Sequence, residues 1–179
     1  MKLKFKIQQY QTDAVENVVR VFDGQPNLGL LEYKIDHGKV YVEVGGKRVE
    51  VKEFEYDEED TGYKNGDIVL DEETLLKNIH HIQTESNIHL SSDVVKKLGH
   101  CQLDVEMETG TGKTYVYIKT LFELNKRYGW TKFIVVVPSV AIREGVKKSF
   151  DITTDHFMET YGKKARYFIY NSDSLGDID

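Results

Sequence analysis

Cysteine is almost missing from this sequence: Cys101 is the single one in 179 residues. That excludes an internal disulfide framework and fits a reducing, cytoplasmic setting. Long apolar runs are also missing. No stretch approaches the roughly 18 uninterrupted apolar residues that a bilayer-spanning helix needs. The opening Met1-Lys2-Leu3-Lys4-Phe5-Lys6 is basic but lacks the apolar core of about 7–15 residues that would make it a signal peptide. Internal repeats and low-complexity tracts are absent too. Metal-ligand spacing is not found: Cys101 has no partner at zinc spacing, and His80 and His81, adjacent on an expected helix, point about 100° apart. What remains is 40% hydrophobic residues, enough to bury a core and to exclude wholesale disorder.

The formal charge of −6 taken alone argues against a polyanionic partner. Its distribution argues the other way. Between Gly112 and Phe150 eight Lys/Arg stand against two Glu, a surplus of six that leaves the rest of the chain at −12. Such asymmetry can mark a region that meets phosphates, although solvated helix faces explain it equally well. The acidic run from Glu53 to Asp60 reads as a solvated edge rather than a metal site, because nothing makes its carboxylates converge.

Three parts follow along the chain. Residues 1–27 hold an amphipathic helix from Gln9 to Phe22, with Ala14, Val15, Val18, Val19 and Phe22 at helical spacing, ended by Asp23-Gly24-Gln25-Pro26. Residues 28–100 form an insertion. It opens with a β-meander in which Val40, Val42 and Val44 alternate with polar positions, Gly45-Gly46 makes a tight turn, and Val49, Val51 and Phe54 lie on the returning strand. Helices come next. Asp71-Glu72-Glu73 starts one whose stripe is Leu75, Leu76, Ile79 and Ile82, and Ser92 to Leu98 forms a short second one before Gly99. Residues 101–179 alternate strand and helix: strands at Leu103–Met107, Phe133–Val137 and Arg166–Tyr170, helices at Lys113–Tyr128 and Ala141–Phe150. That alternation predicts a parallel α/β sheet.

Between the first of those strands and its helix lies Glu108-Thr109-Gly110-Thr111-Gly112-Lys113-Thr114. Glycines let consecutive backbone N–H groups curl around a phosphate without Cβ collisions. The helix start adds free N–H groups and its dipole. A lysine in this position supplies a point charge to the β/γ-phosphates, and the next hydroxyl reaches Mg²⁺. Gly110, Gly112, Lys113 and Thr114 meet these needs in order, so a Walker A loop binding ATP and Mg²⁺ is expected. One departure stands: in G-x-x-x-x-G-K-[ST] the first glycine falls on Met107. Thr109 and Thr111 either touch phosphate or shape the turn.

Three segments together resemble superfamily-two helicases and translocases. Thr109–Thr114 looks like their motif I, and Ile7–Val15 like their adenine-recognition segment, where Gln11 would read the base edge with its amide. Phe133–Pro138 followed by Ser139-Val140-Ala141-Ile142-Arg143 looks like their motif Ia. More narrowly, Met107–Tyr115, Val137–Val146 and Tyr170-Asn171-Ser172-Asp173 are similar to the Res subunit of type III restriction endonucleases, a reading that also absorbs Met107. The resemblance implies a truncated RecA-like P-loop lobe with a parallel sheet, interrupted before the loop by the meander and helices. It implies an ATP-driven motor on DNA, working with a modification (methyltransferase) subunit, and a nuclease activity encoded elsewhere. Ser139 and Arg143 would contact the DNA backbone, with capping as the plainer role for Ser139. Without a Walker B pair, which no apolar strand ahead of Asp177-Ile178-Asp179 provides, an N-terminal fragment that binds but hardly hydrolyses ATP is expected. Two rivals stay open: an ATP-dependent enzyme with another substrate (a DNA or RNA helicase, or a P-loop kinase, although no Arg-rich lid is visible), and a non-enzymatic nucleotide-binding module. Phe5 and Tyr10 are candidates to stack on adenine.

Overall fold

The computed structural model describes residues 5–27, 40–44, 47–51, 65–95 and 101–170. Helices dominate these residues: α1 (Gln9–Arg20), α2 (Glu72–Glu85), α3 (Lys113–Tyr128) and α4 (Val140–Tyr161). The strands β1 (Val40–Val44) and β2 (Lys47–Val51) form one antiparallel pair, with Val40 opposite Val51 and Val44 opposite Lys47.

The expected parallel α/β sheet is corrected by this arrangement. Residues 102–107, 133–137 and 163–170 carry no strand, and no backbone hydrogen bond joins these segments among the described residues. β-branching favours extended dihedrals at a residue, but a ladder needs a second backbone at hydrogen-bonding distance. The exposures agree, with Ile134 at 93% and Val136 at 87% in a run expected to be buried on both faces. The RecA-like lobe falls with it. Of the expected β-meander the described residues hold the β1–β2 pair, while Gly45, Gly46, Phe54 and the stretch before Val40 lie outside the described residues. The short helix expected from Ser92 is likewise replaced, over its described part, by bends and irregular chain at residues 92–95.

Helix α1 has no side-chain cap at Gln8, and its stability comes from one face. Val15 and Val19 are completely buried there, in a cluster that continues through Val21, Phe22, Leu75, Ile79, Ile82, Val116, Leu124, Tyr128 and Trp130. Burying side chains of this kind stabilises by about 1.5–3 kcal/mol each before entropy is counted. Three elements therefore share a core: α1 crosses α3, and α2 closes the other side.

Polar side chains then seal the ends. The Tyr128 hydroxyl donates to the Val19 carbonyl oxygen at 2.8 Å. Asn78 Nδ2 donates to the carbonyls of Val21 (3.0 Å) and Asp23 (2.9 Å), just past the C-terminus of α1. Buried Gln25 donates to the Asp67 carbonyl at 2.9 Å and accepts from the Val69 N–H at 3.0 Å. Such bonds matter because a buried amide left unpaired costs about 1–3 kcal/mol.

Helix α4 uses the opposite side of α3. It continues eleven residues past the expected end at Phe150, because Thr153 and Phe157 are buried in its second half. Phe157 stacks on Phe122 of α3 with ring centroids 4.8 Å apart, and Tyr161 donates to Glu123 at 2.8 Å. Among the described residues no helix is long and apolar enough to cross a membrane.

Asp71 caps α2 by accepting from the Thr74 N–H at 2.8 Å, and the Thr74 side chain first, then this N–H, hold its carboxyl below the usual carboxylate range. A carboxyl depressed in the folded state stabilises above its unfolded value and loses that contribution as pH falls through the folded one. Asp71→Ala is therefore expected to lower the melting temperature at pH 7, with a difference from wild type that shrinks as pH drops below about 4. Asp71→Asn, which keeps an acceptor, should stay close to wild type at pH 7. Thermal unfolding followed by circular dichroism over this pH range checks both.

Candidate functional site

The glycine loop lies where the irregular chain of 101–108 turns into α3. Gly110 and Gly112 both take left-handed backbone, with φ of +84° and +87°. Residues with a Cβ lose about 1–2 kcal/mol there, so glycine at these two positions is a geometric requirement. The Thr111 hydroxyl donates to the Glu108 carbonyl at 2.7 Å and closes the turn. Val116 N–H donates to the Gly112 carbonyl at 3.0 Å, so the α-helical ladder begins directly behind the loop. The Lys113 ammonium donates to the Met107 carbonyl and thereby bridges the loop's entry and exit. Thr114, half-buried, occupies the first turn of α3, and Thr109 is exposed.

A second element reaches the loop from 100 residues upstream. Gln11 Nε2 donates to the Thr111 carbonyl at 2.8 Å, and the Tyr10 hydroxyl donates to the same oxygen at 3.3 Å. The approach is close enough that a Cβ on Gly112 would lie 2.6 Å from Gln11 Nε2. A groove of about 360 Å³ opens beside this junction, lined by Phe5, Gln8, Gln11, Gly110, Gly112 and Tyr115 among others. Gln11 thus meets Thr111 and Gly112 in space. One of the two N–H groups of its amide is used by the loop.

Beside and behind the groove Phe5 joins a set of rings from α3 and α4. Tyr115 stacks on Phe5 (5.8 Å, 16° between planes) and on Phe157 (5.5 Å, 23°). Its hydroxyl and His156 Nε2 share a hydrogen bond of 2.9 Å. Burial pushes the Tyr115 hydroxyl up, while burial and then the Lys119 charge hold His156 below the usual histidine range, against a smaller pull from Glu159. His156 is therefore a neutral imidazole near pH 7. The available signal was spacing: Tyr115 and Phe122 are seven apart on α3, and Phe157 and Tyr161 four apart on α4, so both helices carry an aromatic face.

Ser139 and Arg143 stand apart from this junction. The Ser139 hydroxyl caps α4 by accepting from Ile142 N–H at 3.3 Å, and Arg143 pairs with neighbouring Glu144 at 3.3 Å. No hydrogen bond or ion pair links either to the glycine loop. Among the described residues no group of three or more His, Cys, Asp or Glu is arranged to hold a metal ion.

The class of site this defines is a glycine turn at a helix N-terminus, with two left-handed glycines and a lysine, hydrogen-bonded by an upstream glutamine, a geometry of the kind that can accept an anion. The family is narrower. The family model described as "Type III restriction enzyme, res subunit" matches residues 4–174, and the chain belongs to that family. It is 38% identical over 110 residues to the EcoP15I Res subunit of Escherichia coli and 36% identical over 111 residues to the EcoPI Res subunit of Escherichia phage P1, each match covering 60% of this chain. It is 41% identical over 87 residues, 46% of this chain, to the StyLTI Res subunit of Salmonella typhimurium (strain LT2). All three are described as type III restriction-modification enzymes. The matched stretches span 11%, 11% and 9% of those relatives.

The two glycines separate backbone strain from the Gln11 contact. Gly110 has open space where a Cβ would go, whereas a Cβ on Gly112 displaces the Gln11 amide. Gly110→Ala is expected to destabilise by about 1–2 kcal/mol, and Gly112→Ala by about 1 kcal/mol more as the bond to Thr111 is lost. In a Gln11→Ala background the extra cost at Gly112 should vanish. Urea unfolding of the four variants measures this. Equal losses at the two glycines would show that the Gln11 contact contributes nothing.

Proposed function

We propose that this chain is the ATP-binding front part of a type III restriction enzyme's Res subunit. In this reading Gly110 and Gly112 shape the phosphate cradle with Thr109 and Thr111 at its rim. Lys113 leaves the Met107 carbonyl to meet the β/γ-phosphates, and Thr114 supplies its hydroxyl to the Mg²⁺ that accompanies them. The observation that carries the reading is the pair of left-handed glycines ahead of α3, with Gln11 hydrogen-bonded to the residue between them. The start of α3 directly behind them leaves N–H groups without helical partners, where the dipole favours an anion. The donor set suits a nucleotide-borne metal ion: Thr114 offers a hydroxyl in the first turn of α3, and among the described residues no cluster of carboxylates able to hold an ion by itself is found.

Gln11 serves here as the link between base and loop: its amide nitrogen already holds Thr111, which leaves its carbonyl oxygen free to accept from an exocyclic amine. In the whole enzyme ATP turnover would drive movement along DNA together with a modification subunit. Ser139 and Arg143 would then meet the DNA backbone at the start of α4. The Arg143–Glu144 pair is no obstacle, since exposed pairs of this kind contribute only about 0–1 kcal/mol.

A direct test is equilibrium titration of the 179-residue chain with a fluorescent ATP analogue in Mg²⁺. Wild type is expected to bind, and Lys113→Ala to bind about 10- to 100-fold more weakly, the usual span for losing a charged hydrogen-bond donor. Indistinguishable binding by the two proteins would reject the loop as the nucleotide site.

A further inference from the structure

We propose that His156 is a positioning residue for the nucleoside end of this groove: from α4 it holds the Tyr115 and Phe5 rings that form one groove wall, and so governs affinity for a nucleotide but not for its phosphates. The inference rests on the nucleotide reading given above.

Tyr115 follows Lys113 and Thr114 in the first turn of α3, and both Tyr115 and Phe5 line the groove. His156 lies behind them and is not among the groove's lining residues. Its ring centroid is 4.8 Å from that of Phe5 and 5.8 Å from that of Tyr115, and Nε2 shares the 2.9 Å hydrogen bond with the Tyr115 hydroxyl. Stacking alone would leave the Tyr115 ring free to slide over Phe5, because offset arrangements of aromatic pairs differ little in energy. The hydrogen bond removes that freedom by fixing the far end of the ring. Phe5 precedes α1 in irregular chain and has no hydrogen-bonded element of its own, so its ring contacts with Tyr115 and His156 place it. A wall assembled this way from three separate segments presents flat ring surface to a planar ligand group. The phosphate cradle, by contrast, depends on Gly110, Gly112 and Gln11, none of which touches His156.

The test uses the 179-residue chain with two probes, ATP and inorganic tripolyphosphate, each with Mg²⁺. Because His156→Phe keeps an aromatic ring in the cluster and removes only the hydrogen bond, its melting temperature should remain near that of wild type. Its ATP affinity should fall about fivefold, the scale of one neutral hydrogen bond, while tripolyphosphate affinity stays within about twofold. Tyr115→Phe should show the same split, and the double variant should be no worse than either single one. His156→Gln, which returns a hydrogen-bonding group near the former Nε2, should recover most of the loss. Unchanged ATP affinity in His156→Phe, or an equal fall for both probes, would overturn the inference while leaving the nucleotide site standing. If wild type and Lys113→Ala bind ATP alike, the nucleotide reading fails, and the inference with it.

Discussion

The contact between Gln11 and Thr111 joins residues 100 positions apart and ties the start of α1 to the glycine loop. Its bond alone is worth about 1 kcal/mol, far too little to close so long a segment of chain. What closes it is the packing of α1 across α3, where Val15 and Val19 are sealed against Val116, Leu124 and Tyr128. Arg127 adds an ion pair to Glu16 at 2.6 Å across the same crossing, only partly shielded from water and so a minor contributor. The order of cause is therefore apolar burial first, helix placement second, and polar contact last. Gln8 to Gln11 reach the loop because the buried valines have already fixed where α1 begins.

What could be read from the sequence was what residues decide with their near neighbours. Helix α3 runs from Lys113 to Tyr128 as its periodicity and its flanking glycines at 112 and 129 indicate. Asp71 announces the start of α2 because a short carboxylate three residues before an N–H is a local device. The alternating strands failed for the complementary reason. Phe133–Val137 has the composition of a buried strand, yet pairing is decided by a distant backbone, and no local pattern supplies one. Helix α4 runs past Phe150 through Thr153, Thr154 and Thr160, poor helix formers taken singly. Burial of Phe157 against Phe122 outweighs that deficit, while the threonine hydroxyls are satisfied by carbonyls one turn earlier. His156 went unread because a lone histidine on a helix has no signature until its partner from α3 is known.

The basic stretch between Gly112 and Phe150 also looks different in three dimensions. Its surplus of six suggested a surface turned toward phosphate, but several of those cations already have partners. Arg127 is drawn to Glu16 and Glu123, Arg143 to Glu144, and Lys126 sits 6.0 Å over the Tyr161 ring. Lys113 is committed to a carbonyl that a stronger acceptor would displace, since an ammonium gains more from a phosphate oxygen than from an amide. In the nucleotide reading proposed above, the charge that meets phosphate is this one lysine, held in place by its own loop.

Helix α3 is where these constraints meet. Its first turn is gripped from α1, through Gln11 on the loop, and from α4, through His156 on Tyr115. The two grips act on one groove and belong to helices that pack on different faces of α3. A displacement of α4 would tilt the ring wall while leaving the glycine conformations unchanged, because those are set by Thr111, Glu108 and Gln11. A displacement of α1 would disturb both, since Phe5 and Gln11 lie within seven residues on the same stretch of chain. Control of the groove is therefore unequal: α1 governs whether the site forms, and α4 governs the shape of one wall.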